Sequence, residues 1–203
     1  FFNFQIYEFI SKQNHYLKNN FSNEDKVAKP TCDFLDLNSE RLSGIVSFLG
    51  LNILLLCFIV TFNYEQFVEL PKATANQLAE ETHERVGAVI ASIVMAIVVI
   101  MFYFKGSFNF DKNAKCLKIL AQIWVFLNGV LVLSAFAKNT EYVVNLGLTY
   151  KRLGVYAFLL LSIIGLVFTF IKIQKKKTNA FLFNQMFWYV YGTILMCSFV
   201  NWG

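Results

Sequence analysis

Five long apolar stretches, none of which contains a charged residue, determine the class of this chain. Each is long enough to cross a bilayer, which takes about 20 residues of α-helix. They are Gly44–Phe62, Val86–Phe104, Ile119–Phe136, Leu153–Ile171 and Phe181–Val200. The connections between them are short, so neighbouring stretches are expected to run antiparallel. The sequence therefore predicts an all-α fold, a polytopic transmembrane helical bundle of about five spans with short loops.

The composition agrees with a membrane protein. Of the 203 residues, 57% are hydrophobic, 17% are aromatic and only 15% are charged. A soluble domain of this length needs more polar surface. The formal net charge of +5 does not indicate nucleic-acid binding, because the lysines lie between apolar stretches and not on one soluble face. Membrane lipids are the expected partners.

The distribution of lysine and arginine predicts the orientation. The loops 105–118 and 172–180 are rich in lysine, whereas the loop 64–85 is mainly acidic. Because cytoplasmic loops carry an excess of Lys and Arg, the two lysine-rich loops are assigned to the cytoplasm. The loops 64–85 and 138–152 are then external.

The first 43 residues differ from the rest of the chain. Residues 1–43 are polar and of mixed charge apart from a short apolar start, and they contain Pro30. They are interpreted as a cytoplasmic amino-terminal segment or linker, and the alternative for its apolar start is the end of a preceding span. Residues 44–203 form the predicted bundle. The chain is expected to be a piece of a longer protein, with other subunits or missing spans as its neighbours.

The sequence contains no motif for catalysis, cofactor binding or metal binding. The four cysteines are scattered without C-x-x-C spacing, and there are only two histidines. Phosphate-binding glycine loops and the nucleophile elbow of hydrolases are also missing. No catalytic, cofactor-binding or metal-binding residue is assigned, and the sequence favours a protein that is not an enzyme.

A stripe of small residues marks one face of the second stretch. Ala88, Ser92 and Ala96 recur every four residues, a spacing that lets another helix approach closely. The stripe is interpreted as packing inside the bundle, with an oligomerisation face as the alternative. Asn128 in the third stretch is expected to join helices by hydrogen bonds, and a place along a substrate path is the alternative.

Two cations lie at the start of the fourth stretch. Lys151 and Arg152 follow Thr149, a good N-cap residue, and Tyr142 precedes them in the same external loop. Cations in the first turn of a helix oppose its dipole. Free N–H groups and two cations at a helix start together form a favourable anion site.

Three interpretations of Lys151 and Arg152 remain open. In the first, both side chains extend to the external head groups. In the second, they form salt bridges with Glu81, Glu84 or Glu141. The third interpretation is a specific site for a phosphate-bearing lipid or another anion.

His83 and Glu84 lie at the start of the second stretch, on the same predicted face of the membrane. A histidine beside a glutamate can act in acid–base catalysis. A histidine at a helix start in a polar loop is more commonly a cap or a surface residue.

Several segments of the chain resemble a known family. They include "THERVGAVIASI", "FKGSFNFDKNAKCLKILAQIWVFLN", "KNTEYVVNLGLTYKRLGVY" and "VNW", in that order. The most specific element is Tyr142…Gly147-Leu148-Thr149-x-x-Arg152. The chain resembles, over roughly residues 39–202, a bacterial multi-pass inner-membrane family catalogued only as a domain of unknown function. The resemblance implies a helical bundle in the bacterial inner membrane, and it implies no activity.

Three classes of function remain open. The favoured one is a non-enzymatic structural or accessory component of a membrane complex. The second is a carrier or channel for a lipid or small anion with an external basic lip. The third, which rests only on His83 and Glu84, is a membrane-embedded enzyme acting on a lipid-linked substrate.

Overall fold

A computed structural model of the chain describes residues 18–21, 36–67 and 75–199. Within the helices, the side chains of residues 65–67, 75–79, 81–83, 85 and 107 are not part of this description. The predictions for the apolar start of the chain and for most of the amino-terminal segment therefore lie outside the described residues. The same is true of the side chain of His83.

The described residues form five long helices. They are α1 (Leu37–Phe67), α2 (Ala75–Tyr103), α3 (Lys115–Leu146), α4 (Tyr150–Gln174) and α5 (Asn179–Phe199). Two short 3-10 turns, Ser107–Asn109 and Lys112–Ala114, connect α2 to α3. The predicted all-α helical bundle is confirmed.

The helices extend beyond the apolar stretches that predicted them. The 32 residues of α3 correspond to about 48 Å of helix at ~1.5 Å per residue. This exceeds the ~30 Å hydrocarbon core of a bilayer. Helix α1 begins at Leu37, before the boundary drawn after residue 43, and α4 includes Lys172. The extension of α3 continues through polar residues that contain no proline or glycine, up to the turn at Gly147.

Four of the five helices contain segments long and apolar enough to cross a membrane. Those segments are Leu37–Tyr64, Val86–Tyr103, Lys112–Leu146 and Tyr150–Gln174. Helix α5 is not among these candidates; it is mainly apolar but contains Asn184 and Gln185. The described part of the chain therefore contains four candidate spans and a fifth long helix.

Helix α3 is the centre of the bundle. It packs against α1, α2 and α4, whereas α5 packs mainly against α4. At its core, the ring of Phe48 lies 5.3 Å from Trp124 and 5.6 Å from Tyr103, measured between ring centroids. Such aromatic pairs add packing energy beyond the area that they bury.

Amide groups join α3 to its neighbours inside this apolar bundle. Asn52 of α1 donates to the carbonyl of Leu120 at 3.0 Å. Ser134 of α3 donates to Asn63 of α1 at 2.9 Å. Because a polar group in an apolar interior costs free energy unless it is bonded, these pairs fix how α1 and α3 lie against each other.

The described part of the amino-terminal segment lies at the end of the bundle where α5 begins. Thr178 donates to the carbonyl of Lys18 at 2.6 Å, and Asn184 donates to the side chain of Asn19 at 2.8 Å. The ring of Phe21 lies 5.3 Å from that of Phe110. Residues 18–21 therefore lie at the same end as the lysine-rich connection between α2 and α3.

Candidate anion site at the α3–α4 corner

A glycine turn sets the geometry of the corner between α3 and α4. Gly147 has φ +81°, a conformation that side-chain-bearing residues rarely adopt. Its amide donates to the carbonyl of Val143 at 2.8 Å and ends α3. Thr149 is extended and precedes α4, and its side chain forms no capping hydrogen bond. The first helical hydrogen bond of α4 joins the amide of Leu153 to the carbonyl of Thr149, so the N–H groups of residues 150–152 have no acceptor within the helix.

Arg152 is held in place by contacts across this turn. The Cζ atom of its guanidinium lies 3.9 Å from the centroid of the Tyr142 ring. The guanidinium also donates to the carbonyl of Gly147. Tyr142 itself is only 7% exposed, so the ring is a fixed support for the cation. A guanidinium over an aromatic face is attracted by the ring quadrupole.

Within the part of the chain whose side chains are described, no carboxylate compensates Arg152. Glu141 forms an ion pair with Lys138, with a distance of 3.2 Å between Nζ and Oε2. Glu84 is exposed on α2, and the side chain of Glu81 lies outside the described residues. Lys151 is exposed beside Arg152. The corner therefore combines two cations with the positive end of the α4 dipole.

Asn139 adds a buried polar group that the sequence analysis did not single out. It is fully buried, and its Nδ2 atom donates to the backbone carbonyl of Arg152 at 3.3 Å. Its Oδ1 atom is buried and has no donor among the described residues. The sequence could have indicated Asn139, because it lies three residues before Tyr142 and the two side chains therefore share one face of a helix.

A cleft of about 250 Å³ connects these groups. Its walls are formed by Val86, Asn139, Tyr142, Thr149, Lys151, Arg152 and Val155. Four of the predicted site residues, Tyr142, Thr149, Lys151 and Arg152, thus meet at one place. Glu84 is not among the lining residues. The cleft presents cationic and N–H donors on one side, apolar walls on another, and one unpaired amide oxygen.

Two of the predicted packing residues, Ser92 and Asn128, join α2 to α3. Ser92 donates to Oδ1 of Asn128 at 2.9 Å, and Nδ2 of Asn128 donates to the carbonyl of Trp124 at 2.8 Å. Ala96 and Asn128 are fully buried, whereas Ala88 is exposed. The hydrogen bond between Ser92 and Asn128 therefore links α2 to α3 inside the bundle. Both residues are distant in sequence from the α3–α4 corner.

A second polar cluster at the opposite end was also missed. Lys172 was placed in a loop from the sequence, yet it lies in α4 and is fully buried. Its ammonium donates to the carbonyl of Phe104 at 3.2 Å, which also accepts from Asn109 at 2.9 Å. Lys118 donates to the carbonyl of Asn109 at 3.0 Å. These bonds fix the connection between α2 and α3. The apolar residues on both sides of Lys172 were the signal that the helix continues.

Among the described residues, no three His, Cys, Asp or Glu side chains lie close enough together to hold a metal ion.

Comparison with known proteins identifies a family. Residues 12–203 match the model of a family described as Domain of unknown function (DUF4153). This match confirms the resemblance to a family catalogued only as a domain of unknown function. No curated protein and no solved structure matches the chain.

Proposed function

The chain belongs to the family Domain of unknown function (DUF4153) and is an integral membrane protein, and from the α3–α4 corner we propose that it is a non-enzymatic membrane component that binds the phosphate of a lipid head group. The observation that carries this proposal is the Arg152 guanidinium, which lines a cleft without a described carboxylate to compensate it.

Electrostatics supports an anion at this position. A cation in the first turn of a helix is unfavourable by about 0.3–1 kcal/mol, and here Lys151 and Arg152 both lie in that turn. A bound phosphate removes this repulsion and can accept from the unpaired N–H groups of residues 150–152. Arginine offers a planar fork of donors that matches phosphate geometry, and its contact with Tyr142 already orders this fork.

The depth of the corner favours a lipid head group as the source of the phosphate. The charged first turn of α4 leads directly into the apolar residues that begin at Leu153. The cations therefore lie where the hydrocarbon core gives way to the interface, the depth at which lipid phosphates are found.

We place the corner on the external face of a bacterial inner membrane. The connection between α2 and α3 and the segment after α4 carry most of the lysines, and the positive-inside rule assigns them to the cytoplasm. Because α3 crosses from that end to the corner, the corner then faces outward. The described residues 18–21 lie at the cytoplasmic end in this orientation.

The accessory role rests on helix α5. From Trp188, at 67%, to Phe199, at 83%, its side chains are largely exposed within this chain. The small residues Gly192 and Ser198 in this part would let another helix approach closely. We propose that α5 packs against further membrane helices, from a partner subunit or from other spans of a longer chain.

Lipid retention tests the head-group function. The purified protein is exchanged into detergent with phosphatidylglycerol, and bound lipid is counted by native mass spectrometry. The wild type should retain one lipid, and Arg152→Gln should lose about tenfold or more in affinity, as expected for a charge-assisted contact worth ~1.5–3 kcal/mol. Lys105→Gln is the matched control, because it removes the same charge from an exposed position at the other end of the bundle. Equal retention by the two variants would contradict the proposal.

A further inference from the structure

The buried oxygen of Asn139 indicates which head group the corner binds, and this inference rests on the proposed phosphate site. Asn139 is fully buried and lines the cleft together with Thr149, Lys151 and Arg152. Its Oδ1 atom has no donor among the described residues. A buried acceptor without a donor costs free energy, so a donor from the cleft, either a water or a group of a bound ligand, is expected to pair with it.

The orientation of the amide fixes an acceptor in this position. Nδ2 of Asn139 donates to the backbone carbonyl of Arg152 at 3.3 Å. A rotation of the amide by 180° would bring two carbonyl oxygens together at that distance, which is repulsive because neither can donate. The free atom is therefore the oxygen, and only an N–H or O–H group can pair with it.

A ligand in the cleft must therefore supply two different kinds of group. Arg152, Lys151 and the first amides of α4 require an anionic acceptor, whereas Asn139 requires a donor. A phosphate diester without a hydroxyl or amine supplies the anionic acceptor but no donor for Asn139. The volume of about 250 Å³ leaves room beside a phosphate for a small polar group, since one water occupies ~30 Å³ in the liquid.

We propose that Asn139 selects a lipid phosphate whose head group carries an N–H or O–H donor, as in ethanolamine or glycerol, over one that lacks a donor. The phosphate lies against Arg152 and the start of α4, and the head-group donor pairs with Oδ1 of Asn139. Asn139 is a specificity-determining residue in this arrangement, and Arg152 supplies the affinity for the phosphate.

Two pairs of lipids isolate the donor from the charge. Phosphatidylethanolamine and phosphatidylcholine have the same net charge, but only the first has N–H donors. Phosphatidylglycerol and phosphatidylmethanol are both anionic, but only the first has hydroxyls. Binding of each lipid to the detergent-purified full chain is measured by native mass spectrometry, with the two members of a pair in competition.

The donor-bearing lipid of each pair should bind about tenfold more tightly, which corresponds to ~1.4 kcal/mol. Asn139→Leu should abolish the preference in both pairs while it leaves the binding of phosphatidylmethanol in place. Excess glycerol phosphate in solution should not displace the bound lipid; displacement would overturn the assignment to a lipid.

The outcomes separate this inference from the proposed function. If Arg152→Gln weakens binding but each pair binds equally to the wild type, the corner binds phosphate and the role of Asn139 is wrong. If Arg152→Gln has no effect on any lipid, the head-group function itself fails. The comparison of lipid pairs on the wild type decides the question even if Asn139→Leu does not fold.

Discussion

The guanidinium of Arg152 lies over the ring of Tyr142, with 3.9 Å between Cζ and the ring centroid. The two residues are ten positions apart and belong to different helices. The turn at Gly147 reverses the chain between them, so that the last turns of α3 support the first turn of α4. This contact gives a physical reason for the spacing of tyrosine, glycine and arginine in this part of the sequence.

The aromatic ring of Tyr142 should contribute more to the stability of the protein than its hydroxyl does. Tyr142→Leu removes the aromatic face beneath Arg152 and should lower the free energy of unfolding by about 1–3 kcal/mol, through a lost cation–π contact and lost packing. Tyr142→Phe keeps the face and should stay close to the wild type. Thermal unfolding in detergent measures both. Equal losses in the two variants would show that the hydroxyl, not the ring face, is important.

Leucine substitutions in the stripe of small residues on α2 should reduce stability at Ala96 but not at Ala88. Ala96 is fully buried, so Ala96→Leu should destabilise the bundle by about 1–3 kcal/mol through overpacking. Ala88 is exposed within the chain, and Ala88→Leu serves as the matched control with little expected effect. Unfolding temperatures in detergent provide the comparison. If Ala88→Leu is as damaging as Ala96→Leu, Ala88 contacts a helix in another chain or another span.

Lys172 should be replaceable by an apolar side chain of similar length. Its ammonium is fully buried and bonds to one carbonyl, that of Phe104, which keeps Asn109 as a second donor. Loss of one charge-assisted hydrogen bond costs about 1.5–3 kcal/mol, whereas removal of a buried charge recovers desolvation energy of several kcal/mol. Lys172→Met should therefore be neutral or stabilising, and Lys172→Glu should be strongly destabilising.

The exposed Lys175 is the control for this comparison, since Lys175→Met should leave thermal stability unchanged. A loss of more than ~3 kcal/mol in Lys172→Met would instead mean that the ammonium makes a stronger interaction than one charge-assisted hydrogen bond.

The two ends of α3 should lie on opposite sides of the membrane. Single cysteines are placed at Lys112 and Asn145, both exposed, after the four native cysteines are replaced by serine. A membrane-impermeant thiol reagent applied to intact cells should label the cysteine at Asn145, and the cysteine at Lys112 should react only after lysis. Labelling of both positions in intact cells would contradict the crossing of α3, and the reverse pattern would invert the proposed orientation.

The sequence predicted the helices well because bilayer-length apolar stretches leave few alternatives to a helix. It also brought Thr149, Lys151 and Arg152 together, since they follow one another at a helix start. Asn139 could not be assigned from the sequence, because its importance depends on which of its two amide atoms is left unpaired after α3 and α4 pack. Lys172 was misplaced because the apolar stretch was ended at its first lysine, although Ile173 continues the pattern. Only the structure shows that its ammonium bonds to the carbonyl of Phe104.

The most direct test of the phosphate site is an experimental structure of the protein in a lipid bilayer that contains phosphatidylglycerol. The account predicts head-group density in the cleft, with a phosphate oxygen about 2.7–3.2 Å from the Arg152 guanidinium or from the first amides of α4. A guanidinium that points into solvent, with no lipid, carboxylate or ordered anion within that distance, would contradict it.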